Sequence, residues 1–116
     1  MRILVVDDEP TVRELVRAVL DRDGHETVGA GSGLEALSLL EHGTFDLVVT
    51  DVTMPGLDGL ELLERIRRSY QGLPVLLVTG GVDGQRALAG ATEVLYKPFT
   101  HADLRDAVAR AGAADD

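Results

Sequence analysis

The sequence has no cysteine and no tryptophan, and its 116 residues include only two phenylalanines and two tyrosines. Without cysteine, disulfide scaffolds and thiolate metal sites are excluded. Hydrophobic residues still make up 45% of the chain, which is enough for one core at this length. The composition therefore predicts a single domain with a core of leucine, valine, isoleucine and alanine.

Positive charge and long hydrophobic runs are also scarce. The net charge is −9, which argues against direct binding to nucleic-acid phosphates. The apolar run near the N-terminus is too short for a signal peptide, and no stretch reaches membrane-spanning length. We therefore expect a cytoplasmic protein that neither binds nucleic acid directly nor enters a membrane. Lys97 is the single lysine beside ten arginines, which hints at a specific need for an ammonium group, although chance also explains it.

Five short segments have the composition of strands in a parallel sheet. Four of them are rich in β-branched residues and lack polar alternation, as expected of strands that are covered on both faces. The fifth, Glu26–Ala30, is less apolar and suits an edge position. The other four are Ile3–Val6, Leu47–Thr50, Val75–Val78 and Val94–Tyr96.

Helical patterns lie between the predicted strands and after the last of them. Ser32, Asp58 and Thr100 are each followed three positions later by an acid, which is typical of a capped helix start. The first helix has Pro10 in its first turn and ends before Gly24. Its predicted buried stripe comprises Val12, Leu15, Val16, Val19 and Leu20.

Strands and helices thus alternate along the whole chain. Such alternation implies an open parallel sheet with helices on both faces, and right-handed crossovers limit its topology. Ligands of such sheets bind beyond the carboxyl ends of the strands. We expect one domain over residues 1–112, followed by a C-terminal tail over residues 113–116.

Polar residues follow the predicted strands at that edge. Asp7 and Asp8 come after the first strand, Asp51 ends the third, Thr79 ends the fourth and Lys97 follows the fifth. Because the carboxyl ends of parallel strands meet at one edge of the sheet, we expect these five side chains to converge.

Three carboxylates that lie together repel one another and need a cation. Without cysteine or a suitably placed histidine, oxygen ligands favour Mg²⁺ over zinc, and Mn²⁺ is an alternative. Mg²⁺ uses only one or two carboxylates, which leaves one oxygen of Asp51 free as a nucleophile. The cation, the Lys97 ammonium and the Thr79 hydroxyl would share the charge of a transferred phosphoryl group. The turn signal at residues 54–56 leaves the Thr53 carbonyl able to face the metal.

The chain resembles the receiver domains of two-component response regulators from Arg2 to about Ala111. The resemblance implies a flavodoxin-like (βα)5 fold, doubly wound around a five-stranded parallel sheet in the order 2-1-3-4-5. It also implies a signalling switch that catalyses only its own phosphorylation and dephosphorylation, with a sensor histidine kinase or a phosphotransfer protein as partner. The matching stretches are ILVVDDEP, DLVVTDVTMPGLDGLELL, LPVLLVTG and GATEVLYKPF.

The resemblance also implies a role for each residue of the acidic cluster. Asp51 would receive the phosphoryl group from a phosphohistidine of the kinase. Asp8 and Asp51 would ligate Mg²⁺ directly, and Asp7 would do so mostly through water. The carbonyl of Thr53 would complete the protein ligands.

The remaining two site residues would respond to the phosphoryl group. By resemblance, Thr79 would hydrogen-bond it on activation and Lys97 would pair with it. Receivers usually carry phenylalanine or tyrosine three residues before this lysine, and the ring turns inward when the threonine moves. This chain has Val94 there, and its nearest aromatic residue, Tyr96, lies in a different register. The usual coupling between the threonine and the ring is therefore in doubt.

The segment between Thr79 and Lys97 is about four residues shorter than in most members of the family, which is about one helical turn. The missing residues fall in Gly80–Ala89, where each interior glycine lowers helix stability by roughly 1 kcal/mol relative to alanine. We expect a short, mobile or irregular fourth helix, which disfavours dimerisation through it. Such shortening looks more like receivers attached to hybrid histidine kinases, so a stand-alone regulator and an excised receiver module both fit.

Three further glycines, Gly29, Gly31 and Gly33, resemble a dinucleotide-binding loop. Leu34 stands where the last glycine of that motif should follow, so we interpret the three glycines as loop flexibility.

Two other functions stay open on the sequence. A phosphate-independent interaction module would explain Val94 and the short fourth helix, although every residue of the chemical site is present. A phosphatase of the haloacid-dehalogenase kind also uses an aspartate at a strand end with threonine, lysine and Mg²⁺. It needs a second acid two residues after the nucleophile, where this chain has Thr53, and a cap domain for which this chain is too short.

Overall fold

All five predicted strands form, each within one residue of its expected bounds, in the computed structural model, which describes residues 1–80 and 90–113. The strands are β1 (Arg2–Val6), β2 (Glu26–Ala30), β3 (Leu47–Asp51), β4 (Val75–Thr79) and β5 (Glu93–Tyr96). They pair in parallel in the order β2-β1-β3-β4-β5. This arrangement confirms the expected sheet and its strand order.

The central strands are buried on both faces, which explains their continuous apolar sequence. Every residue of β3 and β4 is buried, as are four of the five residues of β1. The edge strand β2 has only two buried residues, which confirms its predicted position. Because successive side chains of a strand point to opposite faces, the core divides into two clusters, one on each side of the sheet.

Helices cover both faces of the sheet. Numbered as the structure describes them, they are α1 (Pro10–Arg22), α2 (Gly33–His42), α3 (Gly59–Ser69) and α4 (His101–Ala113). Helices α1 and α4 pack on one cluster and α2 and α3 on the other. The short fourth helix predicted over Gly80–Ala89 lies outside the described residues from residue 81 onward, as do residues 114–116 of the predicted tail. None of the helices within the described ranges is long and apolar enough to cross a membrane.

Two of the three predicted helix starts have the reciprocal hydrogen bonds of a capping box. The Asp58 carboxylate accepts from the Glu61 N–H at 2.9 Å, and the Glu61 carboxylate accepts from the Asp58 N–H at 3.3 Å. Thr100 and Asp103 make the same pair of bonds at 3.0 and 2.9 Å. The capped helix start predicted for α2 forms only one of the two hydrogen bonds of a capping box. Its serine does accept from the Glu35 N–H, but the Glu35 carboxylate accepts from the Gly31 N–H.

The predicted buried stripe of α1 is wrong at one position. Val16, Val19 and Leu20 are buried as expected, but Leu15 is 54% exposed. An apolar pattern at helical spacing can be wider than the face that packs on the sheet, and Leu15 lies at the edge of this stripe.

Candidate functional site

The carboxyl edge of the sheet brings the predicted acidic residues together. Strand β1 leads into Asp7 and Asp8, and Asp51 is the last residue of β3, which pairs with β1. One carboxylate oxygen from each of the three residues lies within 4.8 Å of the others. On the other side of β3, Thr79 ends β4 and pairs with Tyr96 at the end of β5.

The three acids differ in their exposure. Asp7 and Asp51 are buried, with 7% and 8% of their surface exposed, whereas Asp8 is exposed. A group from solvent therefore reaches the cluster from the Asp8 side. Thr79, with 2% of its surface exposed, is buried at the carboxyl end of β4.

Both carboxylate oxygens of Asp51 have partners. The Lys97 ammonium donates to Oδ2 at 2.9 Å, and the Thr53 N–H donates to Oδ1 at 3.2 Å. The backbone of Lys97 is held in turn, because its N–H donates to the Thr79 carbonyl at 2.8 Å. A Cβ atom on Gly80 would lie only 3.5 Å from the Lys97 side chain, so the lysine passes directly over this glycine. The Lys97-Pro98 peptide bond is cis.

Burial and the neighbouring charges both act on the pKa of Asp7. Burial raises the pKa of the Asp7 carboxyl above its ordinary value, and the charges of Asp51 and Asp8 raise it further. The hydrogen bond from the Glu9 N–H and the charge of Lys97 act in the opposite direction. The pKa of Asp7 is therefore raised mainly by burial, with smaller contributions from the neighbouring carboxylates.

A substitution that removes the Asp7 charge is expected to stabilise the fold. The folded state binds the Asp7 proton more tightly than the unfolded state does. The contribution of this proton to the free energy of unfolding is therefore fully present below about pH 4, and it is lost as the pH rises through the raised pKa of the folded state. Asp7→Asn stays neutral and can still accept from the Glu9 N–H. Without divalent cations at pH 7, we expect it to raise the free energy of unfolding by roughly 1–3 kcal/mol, because it removes a buried charge and its repulsion with carboxylates about 5 Å away.

Urea unfolding at a series of pH values measures this effect. The stability difference between Asp7→Asn and wild type should disappear below about pH 4, where both side chains are neutral. A difference that stays constant over the whole pH range would show that the charge of Asp7 is not its cause.

The donor set suits a small hard cation. The cluster contains carboxylates only, and oxygen is the ligand that Mg²⁺ and Mn²⁺ prefer. Two ligands of one Mg²⁺ lie up to about 4.2 Å apart at the usual bond length, so a small side-chain movement closes the observed spacing. The carboxylates that approach one another here are those of Asp7, Asp8 and Asp51.

The two positions at which the sequence departs from the family pattern have different surroundings. Val94 packs against the core cluster under α2 and α3, whereas Tyr96 is 51% exposed. The ring of Tyr96 therefore does not fill the core beside Val94.

Two residues that hold Asp7 and Asp51 in place were not predicted from the sequence. Neither Gly59, which directly follows the capping residue Asp58, nor Arg13 was singled out, but the backbone of Gly59 lies directly against Asp51. The Arg13 guanidinium donates to the Asp7 carbonyl at 2.9 Å. The position of Gly59 directly after the capping residue was the one local signal, and Arg13 had none beyond its place on the helix after the acidic pair.

Comparison with known proteins gives consistent results. The sequence model described as "Response regulator receiver domain" matches residues 3–109. Response regulator protein FleR of Pseudomonas aeruginosa is 43% identical over 113 residues, which cover 94% of this chain and 24% of FleR. Chemotaxis protein CheY-3 of Vibrio cholerae is 42% identical over 113 residues, which cover 91% of this chain and 87% of CheY-3. The chain thus spans a small part of one relative and most of the other.

Solved structures agree with the sequence comparison. The crystal structure of a response regulator receiver domain protein from Clostridium thermocellum matches with a TM-score of 0.90 at 35% identity, over 97% of this chain and 94% of that chain. The structure of response regulator protein TrrA from Thermotoga maritima, in complex with Mg²⁺ and BeF, matches with a TM-score of 0.87 at 38% identity. That match covers 94% of this chain and 96% of the TrrA chain.

Proposed function

We propose that this chain, which belongs to the response regulator receiver domain family, is a signalling switch that is phosphorylated on Asp51. The observation that carries the proposal is the contact between the Lys97 ammonium and Asp51 beside two further carboxylates. Asp51 is held at the end of a buried strand, so its carboxylate has a defined direction toward the open edge of the sheet.

The proposed reaction is the transfer of a phosphoryl group from a phosphohistidine. An oxygen of Asp51 attacks phosphorus, the bond between phosphorus and the histidine nitrogen breaks, and that nitrogen leaves with the electron pair. Lys97 already lies against Asp51 and would follow the negative charge onto the phosphoryl oxygens. We propose that Thr79, at the end of the neighbouring strand, donates its hydroxyl to one of these oxygens. Hydrolysis of the acyl phosphate would then release inorganic phosphate and return Asp51 to its unphosphorylated state.

We propose that Mg²⁺, or Mn²⁺ in its place, is the cofactor of this reaction. Asp8 and Asp51 would bind the ion directly, Asp7 mostly through water, and the Thr53 carbonyl would be the remaining protein ligand. When bound, the ion would neutralise charge on the phosphoryl oxygens during transfer. The carboxylate cluster and the presence of Mg²⁺ and BeF in the structure of TrrA support this part of the proposal.

The partner and the setting of the switch belong to the same proposal. A sensor histidine kinase or a phosphotransfer protein would supply the phosphoryl group, in the cytoplasm. The net charge of −9 supports an output through protein contacts and not through direct binding to nucleic acid. We assign residues 1–112 to the receiver and residues 113–116 to a C-terminal tail.

Incubation with acetyl phosphate and Mg²⁺ tests the proposed function. Intact-mass measurement should find one added phosphoryl group on wild type and none on Asp51→Asn. Asp106→Asn is the matched control, because it removes one exposed aspartate from α4, and it should be phosphorylated like wild type. Equal phosphorylation of Asp51→Asn and wild type would contradict the assignment of Asp51.

Two further measurements separate the other functions. Repeated turnover of a chromogenic phosphate ester would indicate a phosphatase. Amide spectra that change only within the pocket when beryllofluoride is added would indicate an interaction module that does not use phosphate.

A further inference from the structure

Asp8 is the exposed member of the acidic cluster, and its position depends on its backbone. Within residues 1–80 and 90–113, no side-chain hydrogen bond is made to the Asp8 carboxylate. The two peptide groups on either side of Asp8 therefore decide where its Cα–Cβ bond points, and with it the positions that the carboxylate can reach by side-chain rotation.

Both of these peptide groups are held by side chains. The carbonyl of the peptide before Asp8 belongs to Asp7 and accepts from the Arg13 guanidinium at 2.9 Å. The N–H of the peptide after Asp8 belongs to Glu9 and donates to Asp7 Oδ1 at 2.9 Å. The Asp7 N–H donates to the Ala30 carbonyl on β2 at 3.1 Å, so the loop is also tied to the edge strand. A bond with one ionised partner is stronger than one between neutral groups, so the bonds from Arg13 and from the Glu9 N–H are both stronger than the bond to Ala30.

The edge strand β2 leaves room for this arginine. A Cβ atom on Gly29 would lie 3.2 Å from Cδ of Arg13 and 3.2 Å from Cδ of Arg17. A Cβ atom on Gly31 would lie 3.4 Å from Nη1 of Arg13. The interpretation of these glycines as loop flexibility was therefore wrong for Gly29, which lies within β2 and makes space for two arginine side chains.

We propose that Arg13 is a positioning residue of the acidic cluster, because its guanidinium holds the Asp7 carbonyl and thereby the backbone from which the Asp8 side chain extends toward the cluster. This inference rests on the proposed function, in which Asp8 binds Mg²⁺. Arg13 does not touch the ion or the phosphoryl group. It acts on the ligand as outer partners of metal sites do, whose loss typically weakens metal binding by about 10-fold to 100-fold.

Arg17 provides a matched control one turn further along α1. It has the same charge, it also packs over Gly29, and it also contacts Glu14. Its guanidinium donates to the side chain and the carbonyl of Thr27, and not to the backbone of Asp7. Loss of charge, of packing on β2 and of the contact with Glu14 is therefore similar in the two positions.

The test compares Arg13→Met, Arg13→Lys and Arg17→Met with wild type. Methionine keeps an unbranched apolar stem over Gly29 and removes the donor, whereas lysine keeps both a stem and a donor. The Mg²⁺ dissociation constant, measured from amide shifts in a titration with MgCl₂, should rise about tenfold in Arg13→Met. It should recover at least in part in Arg13→Lys and stay near the wild-type value in Arg17→Met.

Hydrogen exchange without Mg²⁺ gives a second readout that does not depend on metal. The Glu9 amide should exchange about fivefold faster in Arg13→Met than in Arg17→Met, because its acceptor is no longer held in place. Equal Mg²⁺ affinity and equal Glu9 exchange in the two methionine variants would overturn the role of Arg13 alone. Absence of Mg²⁺ binding in wild type would contradict the proposed function on which the role rests.

Discussion

Replacing Gly59 by alanine is expected to destabilise the protein by about 3 kcal/mol and to displace Asp51. Gly59 begins α3, and its N–H donates to the Val52 carbonyl at 2.9 Å. A Cβ atom on Gly59 would clash with the carbonyl oxygen of Asp51 and would lie 2.7 Å from Cα of Val52. Both are backbone atoms, which cannot rotate away as a flexible side chain can. The start of α3 and the end of β3 must then move apart, which displaces Asp51, the residue that we propose as phosphoacceptor.

Gly72→Ala is the matched control for this substitution. A Cβ atom on Gly72 would have nothing within 4 Å, so the added methyl group meets no resistance. Urea unfolding should separate Gly59→Ala clearly from wild type, while Gly72→Ala should stay within about 1 kcal/mol of it. The rate of phosphorylation by acetyl phosphate should fall in Gly59→Ala only. Equal unfolding midpoints for the two alanine variants would show that the backbone of Gly59 does not approach that of Asp51 as closely as the structure describes.

Replacing Lys97 by methionine is expected to slow phosphorylation of Asp51 by about 100-fold, the usual cost of losing one donor to the charge that develops in a transition state. Lys97 Nζ lies 2.9 Å from Asp51 Oδ2, so an ammonium group is already present beside the position that the oxygens of the transferred phosphoryl group would occupy. Its loss also removes the ammonium group that contacts Asp51 within the cluster of three carboxylates, so the variant should be less stable than wild type without Mg²⁺.

Two variants control for charge in this experiment. Lys97→Arg keeps the positive charge at the site but replaces a compact ammonium by a planar guanidinium, so it should retain part of the rate. Arg110→Met removes one positive charge from the exposed ion pair with Glu93, and it should be phosphorylated at the wild-type rate. The rates are measured by intact mass over time at saturating acetyl phosphate and Mg²⁺. A Lys97→Met rate close to that of Arg110→Met would exclude a role for Lys97 in the transfer.

The strands were predictable because their signal is local. A strand that is covered on both faces needs a continuous apolar run, and β3 and β4 have one. The convergence of Asp7, Asp8 and Asp51 followed from the same information, since parallel strands have their carboxyl ends at one edge. The short helix expected over Gly80–Ala89 stays a prediction.

The errors were of a different kind. Leu15 has the spacing of a buried residue, but the width of the face that α1 packs on the sheet depends on neighbours elsewhere in the chain. Glu35 has the spacing of a capping box, yet its carboxylate reaches the N–H of Gly31 in the loop before the helix. In both cases the local spacing is present in the sequence, but the contacts that the side chain makes depend on residues outside that spacing.

The amino-acid sequence alone determines which residues stand at the strand ends, and with them the chemistry of three carboxylates, a hydroxyl and one ammonium. Local periodicity and strand polarity suffice for that, because neither depends on where distant segments lie. The close approach of Gly59 to Asp51 and the reach of Arg13 to the Asp7 carbonyl depend on the folded chain. Each joins the end of a strand to the helix that follows it, and the distance between those atoms is set by how the helix packs on the sheet.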